Sequence, residues 1–196
     1  MPRCLAPLLL LAAFAAPARG FDVPPASGAP LPQQEVRARW ARSACAASTT
    51  PSARKGPART ELIIVLKSLR EMALCARGEL LAHYRVALGP NPLGHKRRRG
   101  DGRTPEGFYR VTMKQDFYHR SLRLSYPNED DRRRAREDGV DPGGGVLIHG
   151  LSDSKEGLGE LHVLRDWTEG CIAVTNEEID EVDRLTPVGT VVEIRP

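Results

Sequence analysis

Aromatic residues are scarce, at 5% of the 196-residue chain, and none interrupts its most basic stretch, HKRRRGDGR at residues 95–103. A surface that stacks nucleic-acid bases needs aromatic platforms among its cations, so the composition argues against one. Long apolar runs are also missing after the first twenty residues, so no later segment can span a bilayer and the mature protein is expected to be soluble. Cysteines number four, with no CxxC and no HxxxH pair. That leaves, for zinc, only the dispersed set His149, His162 and Cys171, without a compact ligand pair. No segment repeats, which excludes a solenoid.

What is present begins with MPRCLAPLLLLAAFAAPARG. Arg3 precedes a short apolar run, and Ala16-Pro17-Ala18 fits an A-x-A cleavage rule, so residues 1–18 read as a secretory signal peptide. Export implies an oxidising location, with membrane attachment only through an uncleaved signal. Removal of Cys4 with the signal leaves Cys45, Cys75 and Cys171, an odd count that leaves at least one thiol free or pairing between chains. If Cys45 bonds Cys75, Cys171 is left over. The net charge is +4 and the isoelectric point about 9.0. Such a balance suits either an anionic wall polymer or an ordinary solvated surface.

Residues 19–60, rich in Pro, Ala, Ser and Arg, read as a linker with a short helix at QQEVRARWARSACAA. From residue 61 to 196 the texture is that of one domain. ELIIVLK, REMALC, ELLAHYRVAL, FYRVTMK, LRLSY, VLIHG, CIAV and the C-terminal TVVEIRP read as strands, with a hairpin turn at Ala76-Arg77-Gly78. NEDDRRRARED reads as a short exposed helix ended by Gly139, and LSDSKEGLGELH as a loop. Thr175 opens a helix with Glu178 three residues on, a capping box, and Ile179, Val182 and Leu185 give it an apolar stripe. The sum is a mainly β domain, sandwich-like or barrel-like, with a helix after Cys171.

A thiol becomes a nucleophile when a base or a positive field favours its thiolate and substrate can reach it. His149 ends the strand VLIHG, and ends of adjacent strands can bring it to Cys171 as a base. Gly150 beside the histidine leaves room for substrate. Gly170 lets substrate approach the backbone, where N–H groups near Cys171 suit an oxyanion hole. His162 is a second base or a shaping residue. From spacing alone, a buried structural thiol and a catalytic one are both open readings.

Three stretches resemble the L,D-transpeptidase (YkuD-type) catalytic domain of bacterial cell-wall enzymes. GHKRRRGDGRTPEGFYRV resembles its GD-x-RTP-x-G segment, with Thr104, Pro105 and Gly107 in place. VLIHG resembles its histidine motif, and DWTEGCIAV its Ser/Thr-x-G-C motif, with Thr168, Gly170 and Cys171 in place. The resemblance implies an L,D-transpeptidase-like β fold and a monomer acting on peptidoglycan stem peptides, without nucleic acid, metal or organic cofactor. It implies Cys171 as nucleophile, His149 as general base, and the N–H groups of Gly170 and Cys171 as oxyanion donors. The acyl-enzyme then passes to an amine (transpeptidation) or to water (carboxypeptidation or release of wall-linked protein); the basic loop from His95 to Arg103 also admits the alternative of a non-catalytic wall-binding module. Two positions depart from the common pattern: Glu169 stands where a histidine is usual, with an expected effect on the thiol pKa, and Ala173 where a basic residue is frequent. A substrate-carboxylate contact is then expected from Arg165 or Arg123. The loop between His149 and Thr168 is slightly long.

Overall fold

The structure is a computed structural model that describes residues 33–48 and 57–196. The expected signal peptide at 1–18, and the parts of the expected linker at 19–32 and 49–56, lie outside the described residues. In chain order the elements are α1 (Gln33–Ala47), β1 (Leu62–Leu66), β2 (Glu71–Ala76), β3 (Glu79–Arg85), β4 (Gly107–Gln115), β5 (Ser121–Leu124), α2 (Glu129–Glu137), β6 (Leu147–His149), β7 (Ile172–Ala173), α3 (Asn176–Leu185) and β8 (Val191–Arg195). A 3-10 segment, Glu156–Leu164, lies between β6 and β7.

The strands form one sheet in the order β3-β2-β1-β8-β4-β5-β6-β7. Most neighbours are antiparallel, but β1 pairs with β8, and β6 with β7, in parallel. The chain just after β3 returns to the far edge. Ala87 and Ala173 exchange two backbone hydrogen bonds, of 3.0 and 2.9 Å. The sheet thus curls until its edges meet, which satisfies backbone groups that an open edge would expose. This is a mainly β, half-barrel fold with few helices, as the sequence leads one to expect.

The apolar patterns follow from what covers each face. Ile63 and Val65 of β1, Met72 and Leu74 of β2, and Ile148 and Ile172 of β6 and β7 join the main core, with Ile179 and Val182 of α3. The alternate residues Leu62, Ile64, Ala73 and Cys75 face the other way, into a second core under α1. Successive side chains on a strand point to opposite faces, so strands covered on both sides read as unbroken apolar runs. LIIVL is such a run.

Helix α1 makes that second cover from within the stretch read as a linker. Ala41, Ala44 and Cys45, spaced to share one helix face, are buried against β1 and β2. A disulfide joins Cys45 to Cys75, with their Cα atoms 5.3 Å apart.

Local chemistry explains the ends of the elements. Arg77 and Gly78 both take positive φ, 55° and 78°, which is the geometry of a tight two-residue hairpin turn between β2 and β3. Asn128 caps α2 in a capping box with Asp131, and Gly139 follows the helix at φ 67°. Helix α2 is not wholly exposed, since Asp131 and Ala135 are buried. Thr175 caps α3: its Oγ1 accepts from Glu178 N–H at 3.2 Å and its own N–H donates to Glu178 at 2.8 Å. The segment expected as plain loop, LSDSKEGLGELH, instead contributes to the 3-10 segment, kinked at Gly159 (φ 46°, ψ −130°). Its leucines 158, 161 and 164 stay exposed, so no amphipathic period marks it in the sequence.

Candidate active site

Strand β6 carries His149 and β7 begins one residue after Cys171. Their parallel register sets Ile148 beside Ile172 and His149 beside Ala173. Ile148 and Ile172 face the main core, so alternation sends His149 and Cys171 to the opposite face. There both side chains line one cavity of about 390 Å³, together with Tyr118, Trp167, Lys96 and the glycine turn 143–145.

His149 is buried, at 2% exposure. Its Nδ1 lies 2.6 Å from the carbonyl oxygen of Gly150. A carbonyl only accepts, so Nδ1 carries the hydrogen and, in the neutral ring, Nε2 holds the lone pair. Burial pushes the His149 pKa below its ordinary value; the Gly150 carbonyl works against this and His162 adds to it. The ring is held between two aromatics, with Tyr118 at 4.8 Å and Trp167 edge-on at 5.9 Å between centroids.

Cys171 is the free cysteine among the described residues and is partly exposed. Its Sγ lies 3.7 Å from the Gly145 carbonyl oxygen. Burial pushes its pKa above the ordinary value. The Leu147 N–H and the Lys96 ammonium pull it down, and Glu169 pushes it up, the effect expected of a carboxylate at that position. A neutral thiol therefore faces the same cavity as a neutral imidazole.

The turn before Cys171 is held by Thr168. Its hydroxyl donates to the Cys171 carbonyl at 2.8 Å and accepts from Gly170 N–H at 3.1 Å. The Gly170 N–H is thus engaged, and among the described residues the other expected oxyanion donor, the Cys171 N–H, has no recorded acceptor. The glycines also serve differently from expectation. Gly170 has φ +124°, and a Cβ there would sit 2.3 Å from the Arg103 carbonyl oxygen. A Cβ on Gly150 would meet Asn176 Oδ1 at 2.7 Å and Ile179 Cγ2 at 2.8 Å. Both glycines admit neighbouring protein, whereas the sequence suggests room for substrate.

The segment around Thr104 supports this arrangement from outside the cavity. Buried Lys67 donates to the carbonyls of Gly94 and Thr104, at 2.7 and 3.0 Å, and pairs with Glu106 at 2.8 Å. The basic stretch before it is a built turn. Asp101 accepts from the N–H groups of Arg97, Arg98 and Arg103 and pairs with Lys96 at 2.9 Å. Burial alone would raise the Asp101 pKa, but these donors outweigh it and hold it at about 2.

Arg165 and Arg123 do not line the cavity. Next to Arg165, it is Asp166 that turns inward, accepting from Leu88 N–H at 3.0 Å and pairing with Arg70 at 2.8 Å, and Arg165 is left exposed. Arg123 lies opposite Leu147 on β5, with its side chain in solvent. The cations at the cavity are Lys96, Arg99 and Lys155. His162 is buried, its Nδ1 2.8 Å from the Gly159 carbonyl and its Nε2 3.3 Å from that of Ala173. Among the described residues no group of three His, Cys, Asp or Glu converges as a metal-ligand set. Tyr118, Trp167 and Lys155 were not singled out from the sequence: they stand in loops, and only the aromatic side chains themselves hint at a wall.

Comparison with known proteins agrees with the fold. The model of the YkuD L,D-transpeptidase catalytic domain matches residues 60–194. YafK of Escherichia coli (strain K12), named as an L,D-transpeptidase, is 32% identical over 108 residues, which is 53% of this chain and 36% of YafK. YqjB of Bacillus subtilis (strain 168), named likewise, is 31% identical over 133 residues, 65% of this chain and 67% of YqjB. The chain thus spans about a third of the length of the first of these relatives. Among solved structures, the helical cell shape determining protein Pgp2 of Campylobacter jejuni has a TM-score of 0.54 at 21% identity, covering 80% of this chain and 54% of Pgp2. Bd1075 of Bdellovibrio bacteriovorus has a TM-score of 0.50 at 22% identity, covering 73% and 50%. The chain belongs to the YkuD-type L,D-transpeptidase catalytic-domain family.

Proposed function

We propose that the chain is an exported, cysteine-dependent L,D-transpeptidase that acts on peptidoglycan stem peptides through an acyl-enzyme. The observation that carries this reading is the tautomer of His149. Gly150 O engages Nδ1–H, which leaves the lone pair on Nε2 of a ring that lines the same cavity as Cys171. Burial favours the neutral form of both groups, which suits a thiol that gives up its proton as it attacks.

In the reaction, Sγ attacks the amide carbon and its proton passes to Nε2. The carbonyl electron pair moves to oxygen, where the Cys171 N–H is the donor. Collapse of this intermediate breaks the C–N bond, and the leaving amine takes the proton from the imidazolium. An amine or a water then attacks the thioester, gives its proton to Nε2 and expels the thiol. With water the same site is an L,D-carboxypeptidase or endopeptidase, the second reading, and the acceptor alone separates the two. The Cys45–Cys75 disulfide supports an oxidising, periplasmic setting. A role in wall remodelling and cell shape accords with the part the Pgp2 name assigns to a protein of the same fold.

A non-catalytic wall-binding module is disfavoured by the basic stretch itself, where Lys96, Arg97 and Arg99 each pair with an aspartate of this chain. Incubation of wild type and Cys171→Ala with purified muropeptides tests the proposal. Wild type should yield cross-linked dimers or trimmed monomers, distinguished by mass, and the variant neither. Product formation surviving in Cys171→Ala would remove Cys171 from the nucleophile role.

A further inference from the structure

Three cations reach the cavity, and two are already neutralised. Lys96 Nζ is held by Asp101 at 2.9 Å and by the Glu169 carbonyl at 3.3 Å. Arg99 pairs with Asp141 at 2.8 Å. Lys155 is different: its ammonium rests over the Trp167 ring, 5.1 Å from the centroid, and among the described residues it has no carboxylate partner. Its position is fixed by the chain. Lys155 N–H donates to Ser152 O at 2.7 Å, and its own carbonyl accepts from Leu158 N–H at 2.9 Å. The platform is fixed as well, since Trp167 Nε1 donates to His162 O at 3.2 Å. The same indole meets His149 edge-on. A cation held on an aromatic face beside the base, without a counter-ion, is arranged for an anion that arrives with the substrate.

We propose that Lys155, seated on Trp167, is a specificity-determining residue that binds the free α-carboxylate of the residue leaving from the scissile bond. The inference rests on the functional reading above and names the end group that the site selects. It also gives the cavity a substrate-facing cation in place of Arg165 and Arg123. One residue separates the scissile carbonyl from that carboxylate, a Cα–Cα step of about 3.8 Å. Cys171, His149 and Lys155 line one cavity, so both ends are received in the same space.

The test compares two stem tetrapeptides, one ending in a free carboxylate and one ending in the carboxamide. They are given to wild type, Lys155→Met and Lys155→Arg, with kcat and KM measured separately. Wild type should favour the acid by about 10- to 100-fold in kcat/KM, the range for a charged hydrogen bond. Lys155→Met should lose that preference through a higher KM for the acid, with the amide little changed, and Lys155→Arg should keep most of it. Lys155 is partly exposed, and circular dichroism of the variants checks their fold. Equal use of acid and amide by wild type, or an undiminished acid preference in Lys155→Met, overturns the inference alone. So does an equal loss on both peptides in Lys155→Met, which marks a structural role. A wild type that turns over neither peptide overturns the functional reading and this inference with it.

Discussion

The Thr168 hydroxyl donates to the Cys171 carbonyl at 2.8 Å while accepting from Gly170 N–H at 3.1 Å. One side chain thus sets the turn that presents the thiol. Thr168→Val keeps the shape, removes both bonds and leaves a buried N–H unpaired. A loss of about 1–3 kcal/mol is expected in urea unfolding. Labelling of Cys171 by an acylating β-lactam should slow in parallel, since the turn no longer holds the sulfur in place.

Gly170→Ala should be more damaging. The backbone has φ +124°, and the new Cβ would fall 2.3 Å from the Arg103 carbonyl oxygen, a backbone atom that cannot swing away. A cost above about 2 kcal/mol follows from strain and overlap together. Urea midpoints of Gly170→Ala and of a distant surface control measure it.

The pH dependence of Cys171 reactivity follows from its raised pKa, caused first by burial. The rate of alkylation by iodoacetamide should climb with a midpoint above that of a free cysteine thiol. Glu169→Gln removes one charge that raises this pKa, so the midpoint should move down. Lys96→Met removes a charge that lowers it, so the midpoint should move up.

Acid should weaken the fold through two groups. His149 has a lowered folded-state pKa, so the unfolded chain takes up its proton more readily. Stability should fall as pH drops through about 6.5, the ordinary histidine value. Asp101 is ionised down to a pKa of about 2 in the fold. Its contribution is present above about pH 3.9, the unfolded value, and is lost as pH falls towards 2. Discounted for solvent screening, it amounts to about 1 kcal/mol. Urea midpoints of Asp101→Asn and wild type should differ at pH 7 and converge at pH 2.

The disulfide closes a loop with a sequence separation of 30 residues. A loop of that length stabilises by about 3–4 kcal/mol through chain entropy. Cys45→Ala/Cys75→Ala should melt about 10 °C lower than wild type, while Cys171 remains open to labelling because α1 packs on β1 and β2, which β8, β4 and β5 separate from β6 and β7 in the sheet order.

The capping box Thr175–Glu178, the hairpin at Arg77-Gly78 and the unbroken run LIIVL are written locally, so the sequence alone determined most elements of the fold. It also singled out Cys171 and His149, whose flanking residues Gly170, Thr168 and Gly150 are equally plain to read. What those flanking residues do was decided only in three dimensions. Gly150 gives way to Asn176 and Gly170 to the Arg103 carbonyl, contacts between segments far apart in the chain. The same holds for the walls of the cavity. Tyr118 and Trp167 reach His149, and Lys155 reaches Trp167, through a curled sheet that closes between Ala87 and Ala173. Periodicity records which face of a strand is apolar, but only the closure of the sheet fixes which loops meet above that face. For that reason the sequence points to Arg165 and Arg123 for a substrate contact, whereas the packing leaves both in solvent and brings Lys155 to the thiol's cavity.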